Sequence, residues 1–175
     1  MTNHFEADGR KILPPKIPDG LPPLVAETLR VALAEYGVRE TPGRKNRGPR
    51  VDEYVRGVRG NGGYLLGAPW CGRFARWAVD EAAANLHVVS PTIEAGDLAS
   101  WSKWHDWAAI VGRLRSTPHP GYVAILHDPA KQYGHLYLVV AVVDGENYTV
   151  EGNAGDMVDC RARDASKPIG YVSLE

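Results

Sequence analysis

The spacing of apolar residues divides the chain into a helical first half and a strand-rich second half. Apolar positions that recur every three or four residues, with short segments between turn residues, predict four helices over 24–36, 51–58, 71–82 and 95–109. From Ile110 onward, short apolar runs separated by Pro, Gly and Asp predict strands at 110–114, 122–127, 135–143, 147–151, 157–163 and 169–174. Helices followed by strands indicate an α+β fold, in which the helices pack on an antiparallel sheet of about five to six strands.

The composition narrows the classes of protein that this chain can represent. The proline-rich segment 1–22 is expected to form an irregular N-terminal arm, and 23–175 a single domain. The net charge of −1 lacks the basic excess of a nucleic-acid-binding protein, and no apolar run approaches membrane-spanning length. The N-terminus shows no charged-then-apolar signal peptide, so we expect synthesis in the cytoplasm without one. The two cysteines and six histidines show no metal-ligand spacing, and we expect no metal and no cofactor.

Cys71 stands where the third predicted helix begins, directly after Pro69 and Trp70. Proline belongs at or before the first turn of a helix, which places the cysteine among the unpaired N–H groups of that turn. These groups and the helix dipole favour the thiolate, the form of cysteine that attacks carbonyl carbons. A lone cysteine on a helix is more often a small buried apolar residue, and at this point both interpretations stay open.

A candidate base and a candidate orienting group lie on neighbouring strands. His135 opens one strand, and the next strand returns after the hairpin signal Asp144-Gly145 with Glu151 and Asn153 at its end. With a two-residue loop and no irregularity, His135 would face away from Glu151 and Asn153, because strand side chains alternate. An odd loop or a β-bulge would bring all three to one face, and the hypothesis of a shared site requires one of these. His127, at the end of another predicted strand, is the competing histidine.

Four segments in order carry a resemblance to a known family. Pro69-Trp70-Cys71-Gly72-Arg73-Phe74, Gly121-Tyr122-Val123-Ala124-Ile125, Gly134-His135-Leu136 and Val150-Glu151-Gly152-Asn153 resemble the CHAP family of peptidoglycan amidohydrolases, within the papain-like NlpC/P60 superfamily. The upstream pieces Gly37-Val38-Arg39-Glu40, Asn46 and Val51-Asp52-Glu53-Tyr54 are similar to the lead-in of phage-type CHAP proteins, so the resemblance covers roughly 24–165. It implies a papain-like fold, Cys71 as nucleophile, His135 as base, and Glu151 or Asn153 as the residue that orients the base.

The resemblance also implies a substrate and a reaction. The expected activity is hydrolysis of an amide or peptide bond of peptidoglycan through a thioester, with the Cys71 N–H and either Tyr64 or Asn61 as donors to the oxyanion. Trp70 and Arg73 are expected to contact the substrate. The acidic calcium loop of some phage lysins has no counterpart before Cys71.

Action on the wall, in the periplasm or outside the cell, would need delivery by a holin, a secretion system or a phage particle. Two alternatives remain. One is a Cys-His protease or deamidase that acts on a protein. The other is a non-catalytic wall-binding or structural module in which Cys71 is part of the core.

Overall fold

The computed structural model describes residues 9–58, 65–130 and 133–175, and this part of the chain has an α+β architecture. Its four helices are α1 (Pro23–Ala34), α2 (Pro49–Arg56), α3 (Cys71–Asn85) and α4 (Trp101–Ile110). Its seven strands are β1 (Arg10–Lys11), β2 (Leu114–Arg115), β3 (Val123–Asp128), β4 (Tyr133–Val143), β5 (Glu146–Glu151), β6 (Asp159–Asp164) and β7 (Gly170–Val172). None of the described helices has the length and apolar character needed to cross a bilayer.

The strands form one antiparallel sheet in the order β1-β6-β5-β4-β3-β7-β2. The α+β class is confirmed, whereas the expected five to six strands are too few. The strand that was not expected is β1, which lies in the segment 1–22 expected as an irregular arm; with two residues it has no periodicity to recognise. The segment 110–114 was predicted as a strand, but Ile110 ends α4 and only Leu114 belongs to β2.

The hairpin between β4 and β5 contains the irregularity that the site hypothesis requires. Its loop is the two-residue turn Asp144-Gly145, with positive φ at both residues. Val139 pairs with Thr149 but Ala141 pairs with Tyr148, so β4 carries one extra residue. Compared with a regular hairpin, this β-bulge turns every side chain between the start of β4 and the bulge to the opposite face of the sheet. His135 and Glu151 therefore lie on the same face of the sheet.

The helices cover one face of the sheet. Phe74 and Ala78 of α3 join Leu136, Leu138 and Val150 in the main apolar core. The end of α3 that carries Cys71 lies very close to the end of β5. A Cβ added to Gly152 would lie only 2.5 Å from Cβ of Phe74. Glycine at that position therefore allows the helix to lie directly on the end of the strand.

The other face of the sheet carries a second, smaller apolar cluster and a set of buried polar side chains. The cluster comprises Ala124, Leu126, Tyr137, Val139 and Tyr171. By strand alternation the buried charged residues of β6 lie beside it: Asp159, Arg161 and Arg163. Of the segment expected as an arm, 9–22 is described. It adds β1 to the edge of β6 and packs Ile12, Ile17 and Leu21 against the main core.

Candidate active site

His135 lies between the thiol of Cys71 and the carboxylate of Glu151. Its Nε2 is 2.9 Å from Oε2 of Glu151, and its ring is close enough to the Cys71 side chain for that side chain to raise the pKa of His135. The three residues come from β4, the first turn of α3 and the end of β5. His135 and Glu151 are 2 % and 0 % exposed, and Cys71 is the most exposed of the three at 7 %. The arrangement allows a proton to pass between sulfur and imidazole while a carboxylate fixes the ring.

Glu151 is held by more than the histidine. Arg163 of β6 donates from Nε to Oε1 at 2.6 Å and from Nη2 to Oε2 at 2.7 Å. The Thr149 hydroxyl also donates to Oε1. A fully buried carboxylate without such donors would be costly in free energy, because burial disfavours the charged form. The four contacts keep Glu151 ionised and fixed in orientation.

The pKa values of the pair follow from these contacts. Burial lowers the pKa of His135, but the hydrogen bonds and charges of Cys71 and Glu151 outweigh it and raise the pKa to about 9. Burial alone would raise the pKa of Glu151. The positive charge of Arg163 and the hydrogen bonds from His135 and Arg163 instead hold it well below its ordinary range. The site thus favours an imidazolium beside a carboxylate at neutral pH.

Cys71 is placed by the close approach of another segment to the first turn of α3. A Cβ on Gly72 would lie 2.7 Å from the carbonyl oxygens of Leu98 and Ala99, so glycine is required for this packing. The indole N–H of Trp104 donates to the Gly72 and Leu98 carbonyls and so stabilises the packing of this segment against α3. The helix begins at Cys71 as predicted, and no side chain among the described residues caps it.

Asn153, the alternative orienting residue, is directed elsewhere. Its backbone has φ 61° just beyond β5, and its Nδ2 donates to Oδ1 of Asn46 at 3.4 Å. Asn46 in turn donates from its backbone N–H to Glu40 at 2.6 Å and from Nδ2 to the Gly67 carbonyl at 3.0 Å. Asn46 thus connects the loop before Cys71 to the end of β5 through hydrogen bonds. Of the two candidates, Glu151 is the one in contact with His135.

The predicted substrate contacts fall in different places. Trp70 is fully buried and donates from Nε1 to Glu40 at 2.8 Å. The Arg73 side chain is also buried and donates to the Val55 carbonyl at 3.2 Å and to Asp97 at 3.4 Å. Either residue would have to leave these partners to reach a ligand. Asn61 and Tyr64, the predicted oxyanion donors, lie outside the described residues.

The competing histidine takes a different position. His127 stacks on Trp101 with ring centroids 4.1 Å apart. It pairs with Gly134 across β3 and β4 and so faces the helical side of the sheet, away from Glu151. Both cysteines are free, and the described residues contain no cluster of three metal-ligating side chains.

Sequence reasoning missed Arg163. A signal for it was available, because Asp159, Arg161 and Arg163 alternate along a strand predicted to follow the one that ends in Glu151. Charged residues at every second position of a strand with apolar neighbours share one face, and burial of that face requires partners of opposite charge. The alternation could have indicated an ion-paired face beside the predicted carboxylate.

Comparison with known proteins gives a family. A family model described as the CHAP domain matches residues 63–153, which is just over half of the chain. The match includes Cys71, His135, Glu151 and Asn153 and ends before Arg163. Searches of curated proteins and of solved structures find no match. CHAP domains are generally hydrolases of amide bonds and are associated with peptidoglycan. On the strength of this match the chain belongs to the CHAP domain family.

Proposed function

We propose that this protein is a peptidoglycan hydrolase that cleaves an amide or peptide bond by nucleophilic catalysis, with Cys71 as the nucleophile and His135 as the base. The observation that carries the proposal is the position of His135, which is hydrogen-bonded to Glu151 and close enough to the Cys71 side chain for that side chain to raise its pKa. A nucleophile, a base and a group that orients the base are the three parts that such chemistry needs. A cysteine at the start of a helix that packs on an antiparallel sheet is also the arrangement expected of a papain-like fold.

In the first half of the reaction, the Cys71 thiolate attacks the carbonyl carbon of the scissile bond. Nε2 of His135 is engaged by Glu151, so Nδ1 is the ring nitrogen that takes the thiol proton. The new S–C bond creates a tetrahedral oxyanion, which the backbone N–H of Cys71 stabilises. A donor of this kind contributes about 3–4 kcal/mol in a well-studied protease. Asn61 and Tyr64 remain the candidates for a second donor.

In the second half, the tetrahedral intermediate collapses and the C–N bond breaks. His135 transfers its proton to the leaving amine, and a thioester on Cys71 remains. His135 then takes a proton from water, the hydroxide attacks the thioester, and the S–C bond breaks to release a carboxylic acid. Glu151 stays ionised throughout, because Arg163 and Thr149 hold it in that form.

The test is mass spectrometry of purified sacculi digested by the wild-type protein and by the Cys71→Ala variant. The wild type should release soluble muropeptides whose new termini identify the bond cut, and the variant should release none. Cys160→Ala is the matched control, because Cys160 is also buried and free but lies away from His135 on the helical face. Full release by Cys71→Ala would refute the proposal. Binding of sacculi without products by the wild type would favour the non-catalytic alternative.

A protein substrate is the other alternative, and the same variants address it. Digestion of sacculi is compared with the cleavage or deamidation of protein substrates under identical conditions. Products from sacculi that disappear in Cys71→Ala support a wall substrate. Products from proteins alone would refute it and leave the Cys-His chemistry in place.

A further inference from the structure

The carboxylate of Glu151 is bonded by a charged residue outside the matched family region. Arg163 makes two parallel hydrogen bonds to Glu151, at 2.6 Å and 2.7 Å, and both are shorter than the 2.9 Å contact between Glu151 and His135. A guanidinium that bonds both oxygens of a carboxylate fixes the plane of that carboxylate as well as its position. The side chains of Arg163 and Glu151 are 4 % and 0 % exposed, so water does not replace these bonds.

We propose that Arg163 is a positioning residue for the reaction proposed above, on which this inference rests: it fixes Glu151 so that the carboxylate receives the Nε2 proton of His135. Arg163 does not touch the reacting atoms. It acts through Glu151, whose Oε2 accepts hydrogen bonds from both Arg163 and His135. The guanidinium is itself held over the ring of Tyr137, at 5.5 Å from the ring centroid.

The charge of Arg163 has a second consequence, for the basicity of His135. A carboxylate shared with an arginine attracts the imidazolium proton less strongly than an unshared carboxylate. Arg163 therefore limits how far Glu151 can raise the pKa of His135. A histidine that held its proton more tightly would be slow to give it to the leaving amine and slow to act as a base towards water.

The groups that face His135 are Cys71 from α3 and Glu151 from β5, with Arg163 from β6 behind Glu151. Also on β6, Arg161 forms an ion pair with Asp159 of the same strand, with Nη2 and Oδ2 3.5 Å apart. Arg161 is an arginine on the same strand and the same face, with a buried side chain, but its ion pair is with Asp159 and not with Glu151. It provides a matched control for the effect of removing a buried positive charge.

The experiment measures the pKa of His135 by NMR in protein with isotope-labelled histidine, and it needs no substrate. In Arg163→Gln the hydrogen bonds with Thr149 and His135 keep Glu151 ionised, and the pKa of His135 should rise above 9 by about one pH unit, because a neighbouring positive charge is lost. In Arg161→Gln it should stay within a few tenths of the wild-type value. An unchanged or lower His135 pKa in folded Arg163→Gln, or an equal rise in both variants, overturns the proposal.

Arg163→Lys separates the effect of Arg163 on the orientation of Glu151 from the effect of its positive charge. It also provides a test in case Arg163→Gln does not fold. A lysine keeps the positive charge but cannot bond both carboxylate oxygens in one plane. The His135 pKa should stay near 9, while kcat on sacculus fragments falls by about tenfold and KM changes little. Wild-type kcat in Arg163→Lys overturns the positioning role. An NMR response to Arg163→Gln in a protein without hydrolase activity would instead refute the proposed function, so the two failures are distinguishable.

Discussion

Replacement of Glu151 by glutamine tests whether its charge sustains the base. The amide keeps the size and one acceptor oxygen of the carboxylate but removes the negative charge that faces His135. Burial and the positive charge of Arg163 then lower the pKa of His135, while the hydrogen bond and charge of Cys71 still raise it. We therefore expect the pKa of His135 to fall from about 9 towards its ordinary value of about 6.5.

The size of the effect on activity follows from the protonated fraction of His135. At pH 8 a histidine with a pKa of about 9 is mostly imidazolium, whereas one with a pKa near 6.5 is protonated only to a few per cent. Because the leaving amine takes its proton from the imidazolium, kcat/KM at pH 8 should fall, and by as much as about 30-fold when the pKa reaches 6.5. At pH 6 the loss should be much smaller, since both forms are largely protonated there.

The assay is the pH profile of kcat/KM on a soluble muropeptide, measured between pH 5 and pH 10. The alkaline limb should lie near pH 9 in the wild type and at a clearly lower pH, towards 6.5, in Glu151→Gln. Asn153→Gly is the matched control, because it removes the side chain of the other residue that was a candidate for orienting His135, and glycine accepts the positive φ of that position. Its alkaline limb should stay near pH 9. An alkaline limb at the same pH in Glu151→Gln and the wild type would refute the reasoning.

Three further outcomes are expected. Between pH 6.5 and pH 9 the free energy of unfolding should fall by about 3 kcal/mol more in the wild type than in His135→Gln. The raised pKa of His135 in the folded state gives a stabilisation that is present below the pKa of the unfolded state and is lost as the pH rises through the folded-state pKa. Urea titrations in which both proteins lose the same stability would contradict this. Gly152→Ala should lose about 1–3 kcal/mol in urea denaturation and reduce kcat, because its Cβ would lie 2.5 Å from Cβ of Phe74; stability equal to the wild type would show that α3 can move away freely. Iodoacetamide should label Cys71 and not Cys160, whose burial and carboxylate neighbours raise its pKa to about 12; peptide mass spectrometry that finds Cys160 labelled first would contradict the geometry.

Much of the fold was predictable because its long elements have a clear period. The start of α3 at Cys71 follows from Pro69 and the apolar spacing after it, and the hairpin at Asp144-Gly145 follows from its turn chemistry. The boundary near Ile110 was not predictable, because an apolar residue at the end of an amphipathic helix also suits a strand. The exposed Ile110 side chain and the single strand residue Leu114 show how little of that segment joins the sheet.

The candidate site was predictable only in part. The sequence predicted His135 and Glu151 at one end of a hairpin. Their position on the same face of the sheet depends on a β-bulge, which no residue type in the sequence indicates. The contact between Glu151 and His135, rather than Asn153 and His135, depends on the left-handed turn at Asn153, which directs that side chain to Asn46. The alternation of charges along β6 indicates a shared face, but the pairing of Arg163 with Glu151 was not predictable, because ion pairing between strands is a tertiary feature.

The extra residue in β4 gives the protein an unusual sensitivity to changes of length. Deletion of one residue between Val139 and Ala141 would keep the turn, the strand pairing and nearly all of the composition. It would nevertheless rotate the first half of β4 by one side-chain position, so that the imidazole would point towards the helices and Leu136 towards the carboxylate. A single-codon deletion there should thus cost more function than most substitutions. Homologous sequences aligned across this hairpin should vary in residue type more readily than in residue number.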